Sequence, residues 1–351
     1  MESVPRIAIS MGDPGGIGPE IIVKALADPG LRTRARFRVF GSARALEEAA
    51  EASGVAPYWW NVAHDSTLVG TALAHRVLVL DYPELNAGAV GTRGGGTART
   101  GRRGPTRASG AASFLWVEDA LAECLRVARD ERRCDALVTA PISKEAWSLA
   151  GRGQFPGHTE LLATKVNAKR CGMLFTGPTL NVILATIHLP LMDVRNVLTI
   201  GRVFDAIDLG NEGLKSLGVA RPRIAVCGLN PHAGENGLLG DEEARVIAPA
   251  IRVAQEQGID ARGPFPGDAV FVDAAAGRFD LVVAMYHDQG LIPAKLLDRG
   301  KTVNVTVGLP VVRTSPAHGT AFDIAGRNRA SAESMTAAVE TAIRMAGARQ
   351  V

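Results

Sequence analysis

Three of the seven histidines in this chain follow short apolar runs: His188 in "NVILATIHLPL", His232 in "RIAVCGLNPHAGENG" and His287 in "VVAMYHDQG". A β-branched, aliphatic run that stops on a histidine reads as a buried strand delivering that residue to its carboxyl end. In open α/β sheets that end is where ligands bind. Three neutral imidazoles there, with coordination positions left open, suit a catalytic divalent metal ion. Any one of them alone is equally an ordinary polar loop residue. Their equivalent positions favour a shared site, and spacing leaves their convergence open. Asp288 beside His287 and Asn230 near His232 are candidate partners for fixing the ring tautomers.

A second group of residues suits an anion. "FPGHTELLATKV" places Gly157, His158 and Thr159 just before an apolar helical pattern, where free backbone N–H groups, a hydroxyl and an imidazole can hold phosphate or carboxylate. The plainer alternative is that Thr159 caps the helix and His158 lies on the surface. Lys295, Asn304 and Arg313 stand in "LIPAKLL", "TVNVTVG" and "PVVRTSPAHGTA"; an ammonium, an amide and a guanidinium together can clamp anionic groups. The N-terminal "SMGDPGGIGPE" spaces its glycines as G-x-x-G-G-x-G, which fails the dinucleotide fingerprint G-x-G-x-x-G. It reads as a glycine-rich turn between a strand and a helix.

These residues need a scaffold that presents strand ends. Strand-like runs at 6–10, 37–41, 75–80, 135–140, 181–187, 223–229, 281–286 and 303–307 alternate with helical patterns such as 19–28, 241–258 and 331–348. That alternation predicts a mostly parallel sheet with helices on both faces. At 351 residues the chain exceeds one comfortable core, and 46% hydrophobic with 21% charged residues is ordinary for a globular protein. No apolar run reaches the roughly 18–20 residues of a membrane helix, and the start "MESVPRIAISMG" has no signal-peptide character. Cys124, Cys134, Cys171 and Cys227 form no metal-ligand spacing and suit a reducing compartment, so the cytoplasm is expected. The net charge of +3 belongs to one Gly/Arg segment, 88–113, with five arginines and no acid. It reads as a solvated loop; lacking aromatic residues, it argues against nucleic-acid binding.

The stretches "MGDPGGIGPEI", "TAPISKEA", "FPGHTELLA", "NPHAGENG", "MYHDQG", "VNVTVGLPVVRTS" and "HGTAFDIAG", running in order from Met11 to Gly326, resemble the 4-hydroxythreonine-4-phosphate dehydrogenase family. The resemblance implies two α/β/α domains of the isocitrate/isopropylmalate dehydrogenase type, not a Rossmann fold. We expect a discontinuous first domain, 1–135 with 320–351, and a second, 136–319, carrying most metal and substrate ligands. The resemblance implies NAD and one divalent ion (Zn, Mg, Mn or Co) as cofactors. It implies His188, His232 and His287 as metal ligands shared across a homodimer interface, and His158, Thr159, Lys295, Asn304 and Arg313 as contacts to a phosphorylated substrate. The expected reaction is oxidation with decarboxylation of a phosphorylated four-carbon 3-hydroxy acid, with Lys295 or Asp288 as proton acceptor. "NPHAGENGLLGDEE", "MYHDQGLIPAKLL" and "HGTAFDIA" are similar to the branch that acts on 4-phospho-D-threonate or 4-phospho-D-erythronate, which serves acid-sugar catabolism, rather than to the branch of pyridoxine biosynthesis. Ala317 stands where the family has an aspartate before the histidine. The competing readings are a metal-dependent phosphatase or other hydrolase, and a non-catalytic metabolite-binding module on the same scaffold.

Overall fold

The computed structural model describes residues 4–85 and 104–348. The chain divides into two compact units, Met1–Val166 with Pro310–Gln350, and Asn167–Leu309. In the first unit the strands are β1 (Arg6–Ser10), β2 (Arg36–Gly41), β3 (Trp60–Ala63), β4 (Val77–Asp81), β5 (Ala136–Thr139) and β12 (Val312–Pro316). They lie in the order β3-β4-β2-β1-β5-β12, all parallel. Residues 136–166 and 310–319 go with this unit because β5 pairs with β1 and β12 pairs with β5. Every residue of β5, and all of β1 after Arg6, is buried, so helices cover both faces.

One of these helices changes the reading of the Gly/Arg segment. Residues 88–103 lie outside the described residues, but Arg107–Ser113 opens a helix, Arg107–Leu125, rather than continuing a loop. Its start is closed by a reciprocal pair of bonds: Ser109 N donates to Thr106 Oγ1 at 3.0 Å, and Thr106 N donates to Ser109 Oγ at 3.2 Å. Gly110 faces a second helix, Lys144–Leu149, so closely that a Cβ would stand 1.9 Å from the Ala146 carbonyl oxygen. The small residues that looked like loop composition are what lets two helices touch.

The second unit holds β6 (Gly172–Thr176), β7 (Asn181–Leu184), β8 (Ile224–Cys227), β9 (Ala261–Phe265), β10 (Leu281–Ala284) and β11 (Val303–Val307). Their order is β11-β6-β7-β10-β8-β9. The run β7-β10-β8-β9 is parallel, and β6 is antiparallel to both its neighbours. The reversal comes from a tight β6–β7 turn, where Thr179 N and Leu180 N each donate to the buried Asp298 carboxylate at 3.0 Å. Among the described residues no helix is long and apolar enough to cross a membrane.

Candidate active site

In the second unit β7, β10 and β8 are adjacent and parallel, so their carboxyl ends face one way. His188, His287 and His232 each lie within five residues of the last residue of these strands. His287 is the first residue of the helix His287–Leu297, and its Nδ1 is 2.7 Å from Asp288 Oδ1. A carboxylate only accepts, so Nδ1 is the donor in this bond, and in the neutral ring the lone pair is then at Nε2. His232 is held likewise, with Nδ1 2.9 Å from Glu235 Oε2. A ring held through one nitrogen by a carboxylate, with the other nitrogen bare, is the form a metal-ligating histidine takes. The His188 and His287 rings lie 5.7 Å apart, centroid to centroid. Among the described residues no group of three metal-binding side chains gathers within the chain. The structure brings the His188 and His287 rings near each other.

The loop carrying His232 runs through a left-handed turn. His232, Ala233, Gly234, Glu235 and Asn236 have φ of 52°, 54°, 83°, 45° and 55°. That conformation costs an L-residue about 1–2 kcal/mol, so other groups must hold it. Glu243, 5% exposed, accepts from the backbone N–H of Leu229 at 2.8 Å and of Asn230 at 2.7 Å. A Cβ on Gly234 would stand 2.6 Å from its Oε2, so the loop closes over this carboxylate. The Asn230 amide donates to Glu242 and Glu243, at 2.8 and 3.0 Å. It serves this anchor instead of the His232 ring expected from sequence. The two glutamates point back into the loop.

In the first unit Arg313 lies on β12 and is 2% exposed. Its Nη2 donates to Thr139 Oγ1, at the end of β5, at 2.7 Å. Burial pulls its pKa down to about 10, against the opposing pull of Glu160. The guanidinium stays charged at neutral pH. His158 begins the helix His158–Lys165 and packs edge-on against Trp147, ring centroids 5.5 Å apart. Trp147 is fixed in turn by its Nε1–H donating to Ser113 Oγ at 3.1 Å. His158 Nε2 is buried without a hydrogen-bond partner. Burial, and secondarily the Arg313 charge, push its pKa well below the ordinary histidine value. Thr159 is buried, and the helix cap is Gly157, with no side-chain capping bond. The helix start thus presents bare N–H groups beside an imidazole and a guanidinium, a donor set that fits an anion.

The neutral His158 sets a pH dependence. Below about 6.5 the unfolded chain takes up a proton that folded His158 refuses, so folding stability is intact above that value and lost progressively below it. The limiting slope for one such group is about 1.4 kcal/mol per pH unit. Thermal unfolding between pH 7.5 and 5 should show a shallower acid loss in His158→Gln than in the unchanged protein. Equal slopes would rule out the neutral buried imidazole.

Lys295 and Asn304 belong to the second unit. Lys295 is exposed in the last turn of the His287–Leu297 helix. Asn304 lies on β11 with its Oδ1 buried and without a hydrogen-bond partner, an amide oxygen left to accept from a ligand. A family model described as "Pyridoxal phosphate biosynthetic protein PdxA" matches residues 34–342. The chain belongs to this family. A 4-hydroxythreonine-4-phosphate dehydrogenase from Geobacter metallireducens is 46% identical over 348 residues, covering 97% of this chain and 96% of the relative. A D-threonate 4-phosphate dehydrogenase from Salmonella typhimurium is 42% identical over 345 residues, covering 97% and 98%. The crystal structure of a 4-hydroxythreonine-4-phosphate dehydrogenase from Klebsiella pneumoniae superposes with a TM-score of 0.81 at 39% identity, covering 99% of each chain. As a member of the PdxA family the chain is an enzyme, a dehydrogenase.

Several residues of this PdxA protein escaped sequence reasoning. Asp13, in the glycine-rich turn, is fully buried and accepts from Gly15 N at 2.9 Å and Ser109 Oγ at 3.0 Å. Burial raises its pKa, against those two bonds. The turn's own carboxylate thus takes the Gly15 N–H. Thr139 and Glu243 stand at the ends of the stretches "TAPISKEA" and "NPHAGENGLLGDEE", and Trp147 just after the first, but nothing in those stretches says which residue each would hold; the fold brings Thr139 to Arg313, Trp147 to His158 and Glu243 to the His232 loop.

Proposed function

We propose that this enzyme uses NAD to oxidise the secondary alcohol of a phosphorylated four-carbon 3-hydroxy acid, with loss of the carboxylate as CO2. The observation that carries the reading is the placement of His188, His287 and His232 at the carboxyl ends of three adjacent parallel strands, two with their Nδ1 held by carboxylates. These three would hold a divalent ion, with the set completed across a homodimer interface by a second copy of the chain. Such an ion supplies Lewis-acid chemistry at the substrate's oxygens.

The chain's own groups do the rest. In the first unit Arg313, His158 and the bare helix start at Gly157, with Thr159 beside them, bind the anionic end of the substrate; in the second unit Asn304 offers a neutral contact. The neutral His158 ring can donate one hydrogen bond without adding a second cation beside Arg313. Lys295 or Asp288 accepts the alcohol proton as the hydride leaves for the nicotinamide; the bond to His287 suits Asp288 to holding that ring, which favours Lys295. The β-keto acid then loses CO2. The enzyme's Cys124, Cys134 and Cys227, buried as free thiols, suit a reducing compartment, the cytoplasm.

The substrate pair differs by an amino group or a hydroxyl beside the carboxylate, a difference that a site built to hydrogen-bond one of them can discriminate strongly. NADH formation from 4-hydroxy-L-threonine phosphate, 4-phospho-D-threonate and 4-phospho-D-erythronate, each with and without a chelator, tests the reading. Preference for the amino acid places the enzyme in pyridoxal phosphate biosynthesis; preference for a hydroxy acid places it in sugar-acid catabolism. Absence of chelator-sensitive NADH from all three overturns the proposal.

A further inference from the structure

The three strand ends that carry the histidines are laced together by side chains that are not ligands. Between β7 and β10, Ala185 N donates to Ala284 O at 2.8 Å, and the buried Thr186 hydroxyl donates to Met285 O at 2.6 Å. Between β10 and β8, where the chain leaves the ladder, the link runs through Gln289. Its Oε1 accepts from Met285 N at 2.6 Å, and its Nε2 donates to Gly228 O at 2.8 Å. Gly228 is buried and immediately precedes Leu229 and Asn230, whose N–H groups Glu243 holds. One carboxamide thus reaches from the helix that begins at His287 to the root of the loop that carries His232. Both halves of the amide are used, in the only orientation in which the nitrogen faces a carbonyl and the oxygen faces an N–H.

We infer that Gln289 is a positioning residue of the active site: it sets the separation of the His287 and His232 strand ends, while Glu243 holds the loop beyond. The inference rests on the reading of these histidines as ligands of a divalent ion. The geometry separates the role from plain packing. A side chain of equal length without the amide would still fill the space but would leave Met285 N–H and Gly228 C=O unpaired, and the His232 loop would lose its tie to β10. Gln289→Met makes that change with little change in volume.

Affinity for Co2+ or Zn2+, measured by competition with a chromophoric chelator, should fall about tenfold to a hundredfold in Gln289→Met, the range that outer-shell partners of metal ligands command. The unfolding transition should remain cooperative. Hydrogen exchange read by mass spectrometry should speed up in the peptide covering 228–238 and stay unchanged in the strand peptide covering 303–307, a readout that holds even if the variant is less stable overall. Cation affinity lost in His287→Ala but kept at the native value in Gln289→Met overturns the inference and leaves the metal reading standing. Affinity kept in both variants overturns the metal reading and the inference with it.

Discussion

Replacing His287 with Ala is expected to cut chelator-sensitive NADH formation by about a thousandfold or more. Lewis-acid stabilisation is worth several kcal/mol, at 1.36 kcal/mol per decade. The unfolding midpoint should stay close to that of the unchanged protein, because the His287 side chain is 38% exposed and its bond runs to its own neighbour, Asp288; such sites change stability little. Asp288→Asn, which weakens the hold on the ring without removing it, should lose about tenfold to a hundredfold. Among the described residues no group of three metal-binding side chains gathers within one chain, and a site completed by a second copy makes a sharper experiment possible. Homodimers of His232→Ala and of His287→Ala should each be inactive. When the two are mixed and allowed to exchange subunits, a site built from two chains has all three histidines intact once in every heterodimer. About a quarter of the native activity should return, since half the dimers are mixed and each has one good site of two. No recovery would mean that His232 and His287 of one site come from the same chain, and a His287→Ala enzyme with native kcat/KM would remove the histidine from the chemistry altogether.

What could be read in advance depended on how local its cause was. The strands that deliver the histidines were legible because a doubly covered parallel strand is a continuous apolar run, as β8 and β10 are. The antiparallel β6 was not, because its direction is decided by a turn tied to Asp298, whose side chain lies 119 residues from Thr179. Short strands with little apolar signal, β3 with two exposed residues and β9 with an internal Gly-Pro, gave no pattern to find. The first turns of the Arg107–Leu125 helix were read as loop for the opposite reason. Gly, Ser, Ala and Thr look like linker composition until a neighbouring helix is seen to need the room. At the site, residue types named the histidines, His158 and Arg313, but not what holds them. Thr139 meets Arg313 across 174 residues, and Gln289 meets Gly228 across 61; no spacing rule reaches that far. The left-handed turn at His232 was likewise hidden, because most of its residues are not glycine and carry no mark of positive φ.

Arg313→Met should separate binding from folding. A guanidinium at 2% exposure is costly to bury, and its depressed pKa, about 10, is the sign of that cost. Replacing a buried ion pair whole is often neutral or stabilising, but removing one partner leaves the other uncompensated. Arg313 interacts with the Glu160 charge and donates to the Thr139 hydroxyl, so the unfolding midpoint should fall modestly. Activity should fall much further. A charge-assisted contact to a substrate anion, made away from solvent, is worth several kcal/mol, so kcat/KM should drop by about two to three decades, chiefly through KM. Arg313→Lys keeps the charge and loses the planar fork, and should recover only part of the loss. The same variant offers an internal check through His158, whose proton affinity is lowered in part by the Arg313 charge. In Arg313→Met that contribution vanishes while the larger effect of burial remains, so the acid loss of stability assigned to His158 should begin at the same pH and end at a higher one, becoming smaller in total. A variant that binds substrate normally, or one that loses binding with no change in the acid limb, would show that Arg313 and His158 do not act as one anion site.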